Sequence, residues 1–265
     1  MRFDKRVAIV TGAARGIGAC VALQFAKEGA NIVALDIGED IPNIDYSLGS
    51  VSELDKVVNE IKAMGRRAIG VVADVSKSTQ VKNAVNQAID EFGKIDILVN
   101  NAGIILRSAL VDSTEEQIQA VINVNLEGCI YCCQHVIPHM ARQRYGKIVN
   151  ISSGAGLKAE PRMSVYSATK YAVLGLTEAL AAELAYYNIN VNAICPAGVR
   201  TGMTAGRRLL SSDINFFRRE VSVEDIAAGV LFLASDETRN ITASLLPITA
   251  GLDKNILAPD PYFTI

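Results

Sequence analysis

Tyr166 and Lys170 are the first residues of this sequence whose types and spacing point to chemistry. They stand four positions apart, and the apolar residues that follow them recur at helical spacing. Residues i and i+4 lie on one face of a helix, so the phenol and the ammonium are expected to point the same way. A nearby cation lowers the pKa of a phenol from its ordinary value of about 10, which suits general acid–base catalysis. An isolated pair of this kind is also compatible with an ordinary solvated helix face.

A strand–helix–strand pattern at the start of the chain indicates a dinucleotide site. A short apolar run at 7–10 leads into Thr11-Gly12-Ala13-Ala14-Arg15-Gly16-Ile17-Gly18, and a helical pattern then continues to Lys27. Glycines at this turn let the backbone approach a pyrophosphate at the helix N-terminus. The second strand, 31–36, ends in Asp36, which lies 18 residues beyond Gly18. At this distance a carboxylate can accept a hydrogen bond from a ribose 2′-hydroxyl.

The rest of the chain alternates apolar runs with segments of helical periodicity. The apolar runs predict seven strands, at 7–10, 31–36, 68–73, 95–99, 147–151, 189–195 and 245–248. The intervening segments predict helices ending near 27, spanning 51–64, 79–92 and 115–144, around 166–170, and up to 234. This alternation predicts an α/β fold with a Rossmann-like, doubly wound, seven-stranded parallel sheet in three αβα layers, forming one domain over 1–265.

Irregular segments between these elements are candidates for function. Asn100-Asn101-Ala102-Gly103 follows the fourth strand, at the edge where doubly wound sheets bind ligands. Asn125 and Gly128 are weak helix formers inside the helix 115–144, so we expect a local kink there. The loop 37–50 is longer than usual connections. Segment 202–221 breaks periodicity and is expected to form a lid over the substrate.

The amino-acid composition limits the classes of protein to which the chain could belong. The chain has 265 residues, half of them hydrophobic, and a net charge of −2 without a basic stripe, so neither nucleic acid nor an anionic membrane is an expected partner. No signal peptide or membrane span is recognisable. Five cysteines at irregular spacing indicate a reduced, cytoplasmic protein. The Cys129-x-x-Cys132 spacing with nearby histidines suggests a zinc or redox site, but without a second cysteine pair we predict buried packing and no metal.

With these motifs the chain resembles the short-chain dehydrogenase/reductase family over essentially its whole length. The matching residues are Thr11, Gly12, Gly16, Ile17 and Gly18 in the cofactor loop, Asp74 and Val75 at the adenine, Asn101, Ala102 and Gly103 beside the cofactor, Pro196, Val199 and Thr201 at the nicotinamide, and the tetrad Asn125, Ser153, Tyr166 and Lys170. Two departures are Ala197 in place of a glycine and Thr249-Ala250-Gly251 in place of an acidic-Gly-Gly run. The 37–50 loop resembles that of carveol-dehydrogenase-like members.

The resemblance implies an enzyme that transfers a hydride between a nicotinamide cofactor and a secondary alcohol or ketone. Tyr166 would be the general acid/base, and Lys170 would lower the pKa of Tyr166 and hold the nicotinamide ribose. Ser153 would donate a hydrogen bond to the substrate oxygen, and Asn125 would hold a proton-relay water. Two rival interpretations are a non-catalytic NAD-binding sensor or scaffold, and an epimerase or dehydratase that uses bound NAD transiently. An intact tetrad and the single-domain length count against them.

Two residues near the expected ribose site favour different cofactors. Arg15 is a cation of the kind that meets a 2′-phosphate in NADP-using relatives, whereas Asp36 would repel that phosphate. Because Asp36 lies at the ribose and Arg15 is expected on a flexible side chain that can swing into solvent, we predict NAD, with an NADP-dependent carbonyl reductase as the alternative.

Substrate and assembly can also be predicted. Apolar side chains near the nicotinamide end suggest a cyclic or hydrophobic alcohol: Ile104, Ile105, Leu106, Met163, Leu209, Leu210, Phe216 and Phe217. Arg107, Glu160 and Arg162 could equally line the pocket and recognise a polar group. The helices around 129–140 and 171–187 are apolar or small on more than one face, as in family members that assemble as homotetramers.

Overall fold

The architecture is seen in a computed structural model of the chain, which describes residues 1–204 and 215–253. Its strands are β1 (Val7–Thr11), β2 (Asn31–Asp36), β3 (Ala68–Val72), β4 (Ile97–Asn100), β5 (Gly146–Ile151), β6 (Ile189–Pro196) and β7 (Leu245–Ile248). Its helices are α1 (Gly16–Lys27), α2 (Val51–Ala63), α3 (Ser78–Phe92), α4 (Glu115–Ile122), α5 (Gly128–Gln143), α6 (Ser164–Leu184) and α7 (Val223–Ala234).

The seven strands form one parallel sheet in the order β3-β2-β1-β4-β5-β6-β7. The order reverses between β1 and β4, which creates the crevice where doubly wound sheets bind ligands. All strand ends that carry the candidate residues therefore meet along the same edge. The predicted fold class is confirmed, with strand and helix bounds that differ from the prediction by no more than a few residues.

Two apolar layers cover the sheet, one on each face. The first packs α1, α2 and α7 against the sheet through residues such as Phe25, Leu54 and Val230. The second packs α3, α4, α5 and α6 against the opposite face. Neighbouring residues of β1 alternate between them, since Ala8 lies in the first layer and Ile9 in the second. Burial on both faces explains why the strands read as continuous apolar runs.

The expected kink in the long helix takes the form of a π-helical segment, Asn123–Glu127, between α4 and α5. Such single-turn widenings accommodate a residue that the regular helix would not, and they recur at functional sites. Here the segment places the Asn125 side chain inside the protein.

The segment 202–221 was expected to act as a lid, and it is described only at 202–204 and 215–221. Residues 205–214, including Leu209 and Leu210, lie outside the described part of the chain, so the lid stays a prediction. No helix in the described ranges has both the length and the apolar character needed to cross a membrane.

Candidate active site

A cavity of about 650 Å³ runs along the carboxyl edge of the sheet, across the loops that follow β1 to β6. It is large enough for a small-molecule ligand. All residues predicted to contact the cofactor line it except Gly18: Gly12, Arg15, Gly16, Ile17, Asp36, Asp74, Val75, Asn101, Ala102, Gly103, Tyr166, Lys170, Pro196, Val199 and Thr201. Ser153 also lines it, whereas Asn125 lies behind it.

The glycine turn after β1 is fastened to the turn after β4. The Asn101 side-chain amide donates to the carbonyl oxygens of Thr11 (2.8 Å) and Gly12 (3.1 Å). In return the Thr11 hydroxyl oxygen accepts from the backbone amides of Asn101 and Ala102. A Cβ on Gly18 would lie 2.0 Å from the Gly12 carbonyl oxygen, so only glycine allows α1 to start this close to the turn. Gly18 therefore shapes the site from beneath the cavity.

The N-terminus of α1 directly follows this turn, and its backbone conformation suits the binding of a phosphate group. Gly12 and Gly16 both adopt positive φ, +65° and +59°, which favours glycine. Within the described chain, α1 has no side-chain cap and no acidic residue in its first turn. Its first amides are therefore available to an anion, and the helix dipole adds to the attraction.

Two carboxylates, Asp36 and Asp74, line the cavity beside the glycine turn. Asp36 is buried, and its Oδ2 accepts from the backbone amide of Ala14 at 2.9 Å. Its Oδ1 lies beside Gly49, where a Cβ would come within 2.8 Å. Asp74 follows β3 and accepts from the amide of Ser76 at 2.9 Å. These contacts within the protein hold both side chains in place.

Arg15 is held by the loop 37–50 and by α2, so the expectation that it swings freely into solvent is wrong. Its Nη1 donates to the carbonyl oxygen of Ser47 at 3.1 Å, and its Nη2 pairs with Glu53 Oε2 at 2.9 Å. Nη2 also donates to the carbonyl oxygen of Leu48. Burial alone would raise the pKa of Glu53, but hydrogen bonds from Ser50 and the Arg15 charge bring it below its usual value.

The residues that are capable of acid–base chemistry lie together, on the other side of the glycine turn from Asp36. Ser153 follows β5, and Tyr166 and Lys170 lie one turn apart on α6. Tyr166 is hydrogen-bonded to the Ser153 side chain. The Lys170 ammonium lies 5.7 Å from the centre of the Tyr166 ring and donates to the Ile151 carbonyl oxygen at 2.9 Å. Three of the four predicted tetrad residues therefore line one end of the same cavity.

The electrostatics of this cluster differ from the sequence prediction. Burial raises the pKa of Tyr166 above its ordinary value, although the Ser153 hydrogen bond and the Arg107 charge oppose this. The predicted lowering by Lys170 is therefore wrong in its net direction, because desolvation of the phenolate outweighs the nearby charges. Burial also lowers the pKa of Lys170, to about 8.

Asn125, the fourth tetrad residue, spans the space between β4 and α6. Its side-chain Oδ1 accepts from the Ile104 amide at 2.8 Å, and its Nδ2 donates to the Ile104 carbonyl oxygen at 2.9 Å and to the Thr169 hydroxyl at 3.2 Å. A small cavity of about 10 Å³ separates Asn125 from Lys170. This is about the volume that one water molecule needs.

An apolar pocket surrounds the Tyr166 hydroxyl end of the cavity. Ile105, Ala155, Met163, Met203 and Tyr46 pack around Tyr166, and all six residues line the cavity. Sequence reasoning missed Tyr46 and Met203. Tyr46 was detectable only as the aromatic residue of the irregular loop 37–50. Its hydroxyl oxygen accepts from the Ile105 amide at 2.9 Å, and burial raises its pKa to about 12.

Several side chains predicted for this pocket lie elsewhere. Ile104, Arg107 and Glu160 do line the cavity, but Leu106, Arg162, Phe216 and Phe217 do not. Leu106 packs into the second apolar layer, and Phe217 is 66 % exposed. Phe216 lies against Gly251, whose φ is +87°. An irregular segment gives no periodicity from which the direction of such side chains could be predicted.

Cys129, Cys132 and Cys133 are buried in the second apolar layer, in agreement with predicted packing. Burial raises the pKa of Cys132. No group of His, Cys, Asp and Glu side chains in ranges 1–204 and 215–253 has the arrangement of a metal site.

The fold and this arrangement define a dinucleotide-dependent oxidoreductase scaffold, and comparison with known proteins places the chain in a family. The short chain dehydrogenase family model matches residues 6–209, so the chain belongs to that family. A 3-oxoacyl-(acyl-carrier-protein) reductase FabG of Thermotoga maritima is 38 % identical over 256 residues, covering 95 % of this chain and 99 % of that protein.

Carveol dehydrogenases are also among the relatives, as the 37–50 loop indicated. The (-)-trans-carveol dehydrogenase of Rhodococcus erythropolis is 35 % identical over 274 residues, covering 94 % of this chain and 98 % of that protein. The crystal structure of carveol dehydrogenase from Mycobacterium avium in complex with NAD superposes with a TM-score of 0.91 at 33 % identity, over 95 % of this chain and 98 % of the other.

Proposed function

We propose that this protein interconverts a cyclic or hydrophobic secondary alcohol and its ketone with NAD as cofactor. The observation that carries the proposal is the meeting of Ser153, Tyr166 and Lys170 at one end of a cavity that has the glycine turn and Asp36 at its other end. A binding-only sensor or scaffold has no need of the three side chains together, which favours an enzyme.

The described residues fit a dinucleotide. The pyrophosphate would be held by the free amides at the start of α1, the adenosine ribose by Asp36, and the nicotinamide ribose by Lys170. Thr201 and Val199 would hold the carboxamide end. When bound, NAD would supply the donor or acceptor of the hydride. The carveol dehydrogenase of Mycobacterium avium was crystallised in complex with NAD, which supports the same choice.

Tyr166 is proposed to move the proton. Its raised pKa keeps the hydroxyl protonated at neutral pH, so it can donate to a ketone oxygen, and it must lose this proton before it can accept one from an alcohol. The Ser153 hydroxyl would donate to the same substrate oxygen and stabilise its negative charge. A water in the small cavity between Asn125 and Lys170 would connect the ammonium to a proton path.

The apolar pocket around Tyr166 supports a hydrophobic substrate. Ile105, Ala155, Met163 and Met203 offer little to a polyol, whereas the Tyr46 hydroxyl keeps its proton and can donate one hydrogen bond. Relatives named for carveol and for a 3-oxoacyl carrier-protein thioester suggest two substrates of this apolar kind.

The test is a substrate panel followed with both NAD(H) and NADP(H). Carveol, cyclohexanol-type alcohols and their ketones should turn over with NAD(H), and faster than polyols. Preference for an acetoacetyl thioester with NADPH would favour the carbonyl reductase alternative. Tight NAD binding without turnover of any alcohol would favour a sensor. Tyr171→Phe is the matched control for Tyr166→Phe, because Tyr171 lies on the same helix, outside the cavity, with its hydroxyl on the Leu157 carbonyl oxygen.

A further inference from the structure

Arg15 is the cation on the glycine turn, and its surroundings bear on cofactor choice beyond Asp36. We propose that Glu53 is a cofactor-specificity residue: with the carbonyl oxygens of Ser47 and Leu48 it holds Arg15 away from a 2′-phosphate, so that NADP is disfavoured. This inference rests on the proposed use of NAD and identifies a residue that enforces it.

The contacts of Arg15 occupy the nitrogen atoms that would grip a phosphate. Phosphate and carboxylate groups are bound in fork geometry by the terminal nitrogens of an arginine. Here Nη1 is used by the Ser47 carbonyl oxygen, and Nη2 by the Leu48 carbonyl oxygen and by Glu53. Of the three nitrogens, only the buried Nε lacks an acceptor within the described residues. Contact of both Nη atoms with a 2′-phosphate would therefore require these bonds to break.

Glu53 cannot follow Arg15 toward a ligand, because the same carboxylate oxygen completes the N-terminus of α2. Its Oε2 accepts from the Ser50 backbone amide at 2.8 Å and from the Ser50 hydroxyl at 3.0 Å, while the Ser50 hydroxyl oxygen accepts from the Glu53 amide. This capping box fixes Glu53 at the helix end. The ion pair therefore anchors Arg15 to a rigid element.

Asp36 and Glu53 then act on a 2′-phosphate in two different ways. Asp36 repels the phosphate directly, whereas Glu53 withholds the one side chain on the glycine turn that could neutralise it. The Arg15–Glu53 pair is partly exposed, with side-chain exposures of 32 % and 41 %, so its effect alone is modest. Removing Asp36 alone leaves Arg15 held, and we expect a full gain of 2′-phosphate binding only when both carboxylates are removed.

The experiment measures binding of 2′,5′-ADP and of 5′-AMP by calorimetry, which separates the 2′-phosphate from catalysis. Glu53→Gln removes the charge and keeps a side chain that capping boxes accept. It should raise the affinity for 2′,5′-ADP by about five-fold and leave that for 5′-AMP within about two-fold, the scale of a partly exposed ion pair. Glu53→Ala, which removes the acceptor altogether, is the second variant. Asp55→Asn, an exposed acid on the same helix, is the matched control and should change neither affinity.

The role of Arg15 is tested by adding Arg15→Ala to Glu53→Gln, which should abolish the gain. An unchanged ratio of the two affinities in both Glu53 variants, or a gain that survives Arg15→Ala, would overturn the inference while leaving the use of NAD intact. A wild-type chain that binds 2′,5′-ADP as tightly as 5′-AMP would overturn the NAD proposal and the role of Glu53 with it.

Discussion

Lys170 should destabilise the folded protein at neutral pH, and Lys170→Met should reveal by how much. The ammonium is almost completely buried, and burial lowers its pKa from 10.5 to about 8. Between these two values the unfolded chain holds a proton that the folded chain has released. Because stability rises with pH wherever the unfolded state binds more protons, the wild-type protein should gain stability as the pH rises from 8 toward 10.5.

The magnitude follows from the gap between the two pKa values. A gap of about 2.5 corresponds to about 3 kcal/mol of unfolding free energy at low pH. About 2 kcal/mol of this should be recovered between about pH 7 and about pH 9.5. Methionine does not titrate, so the difference in unfolding free energy between wild type and variant should change by this amount. Loss of the hydrogen bond from Lys170 to the Ile151 carbonyl oxygen adds a constant that is independent of pH.

Urea titrations of nucleotide-free protein at the two pH values supply the measurement. Other titrating groups are shared by both proteins and cancel in the difference. Lys56→Met, at an exposed position on α2, is the control and should follow the wild type at both pH values. A wild-type-minus-variant difference that stays constant would refute the reasoning, since it would mean that Lys170 ionises in the folded protein as it does in water.

Four further outcomes are expected. Tyr166→Phe should lower turnover by at least ~10²-fold while NAD binding measured by calorimetry persists; near-normal turnover would contradict the acid–base role. Wild-type kcat/KM should favour NAD over NADP by at least ~10-fold, and Asp36→Ala should shrink that preference. Because the pKa of Tyr166 is raised, alcohol oxidation should accelerate with pH above neutrality, and a flat pH–rate profile would argue against it. Light scattering should report a tetramer built on α5 and α6, where Ile130 and Tyr171 are exposed; a monomer at micromolar concentration would exclude it.

Much of the fold could be predicted because its signals are local. Strands buried on both faces are continuous apolar runs, and glycine at 65 and 93 stops α2 and α3 in the left-handed conformation. The interruption of the helix 115–144 was also predictable, since Asn125 and Gly128 are weak helix formers. Its π-helical form was not predictable, and neither was the contact of Asn125 with Ile104 across 21 positions.

In the candidate site, too, some features could be predicted from the sequence and others could not. The residues of the glycine turn and the Tyr166–Lys170 pair belong to short motifs, and each was found from spacing alone. Arg15 meets Glu53 across 38 positions, and Tyr46 meets Ile105 across 59, so no periodicity reports either contact. The direction of the shift in the Tyr166 pKa was predicted wrongly for a related reason. Sequence shows which charges are near a phenol, but the extent of burial that opposes them is a property of the packed structure.

Two features that oppose folding lie where the chemistry of this protein is proposed. A Cβ on Gly103 would come within 3.2 Å of Asn125 Oδ1 and 3.4 Å of Lys170 Nζ, so the β4 turn, the π-helical segment and α6 pack closely together there. A buried ammonium and a widened helix each lower stability, and neither is needed to close a parallel sheet. Features that oppose folding persist where activity requires them. Their coincidence at Gly103, Asn125 and Lys170 therefore supports an enzyme at this edge of the sheet over a protein that only binds NAD.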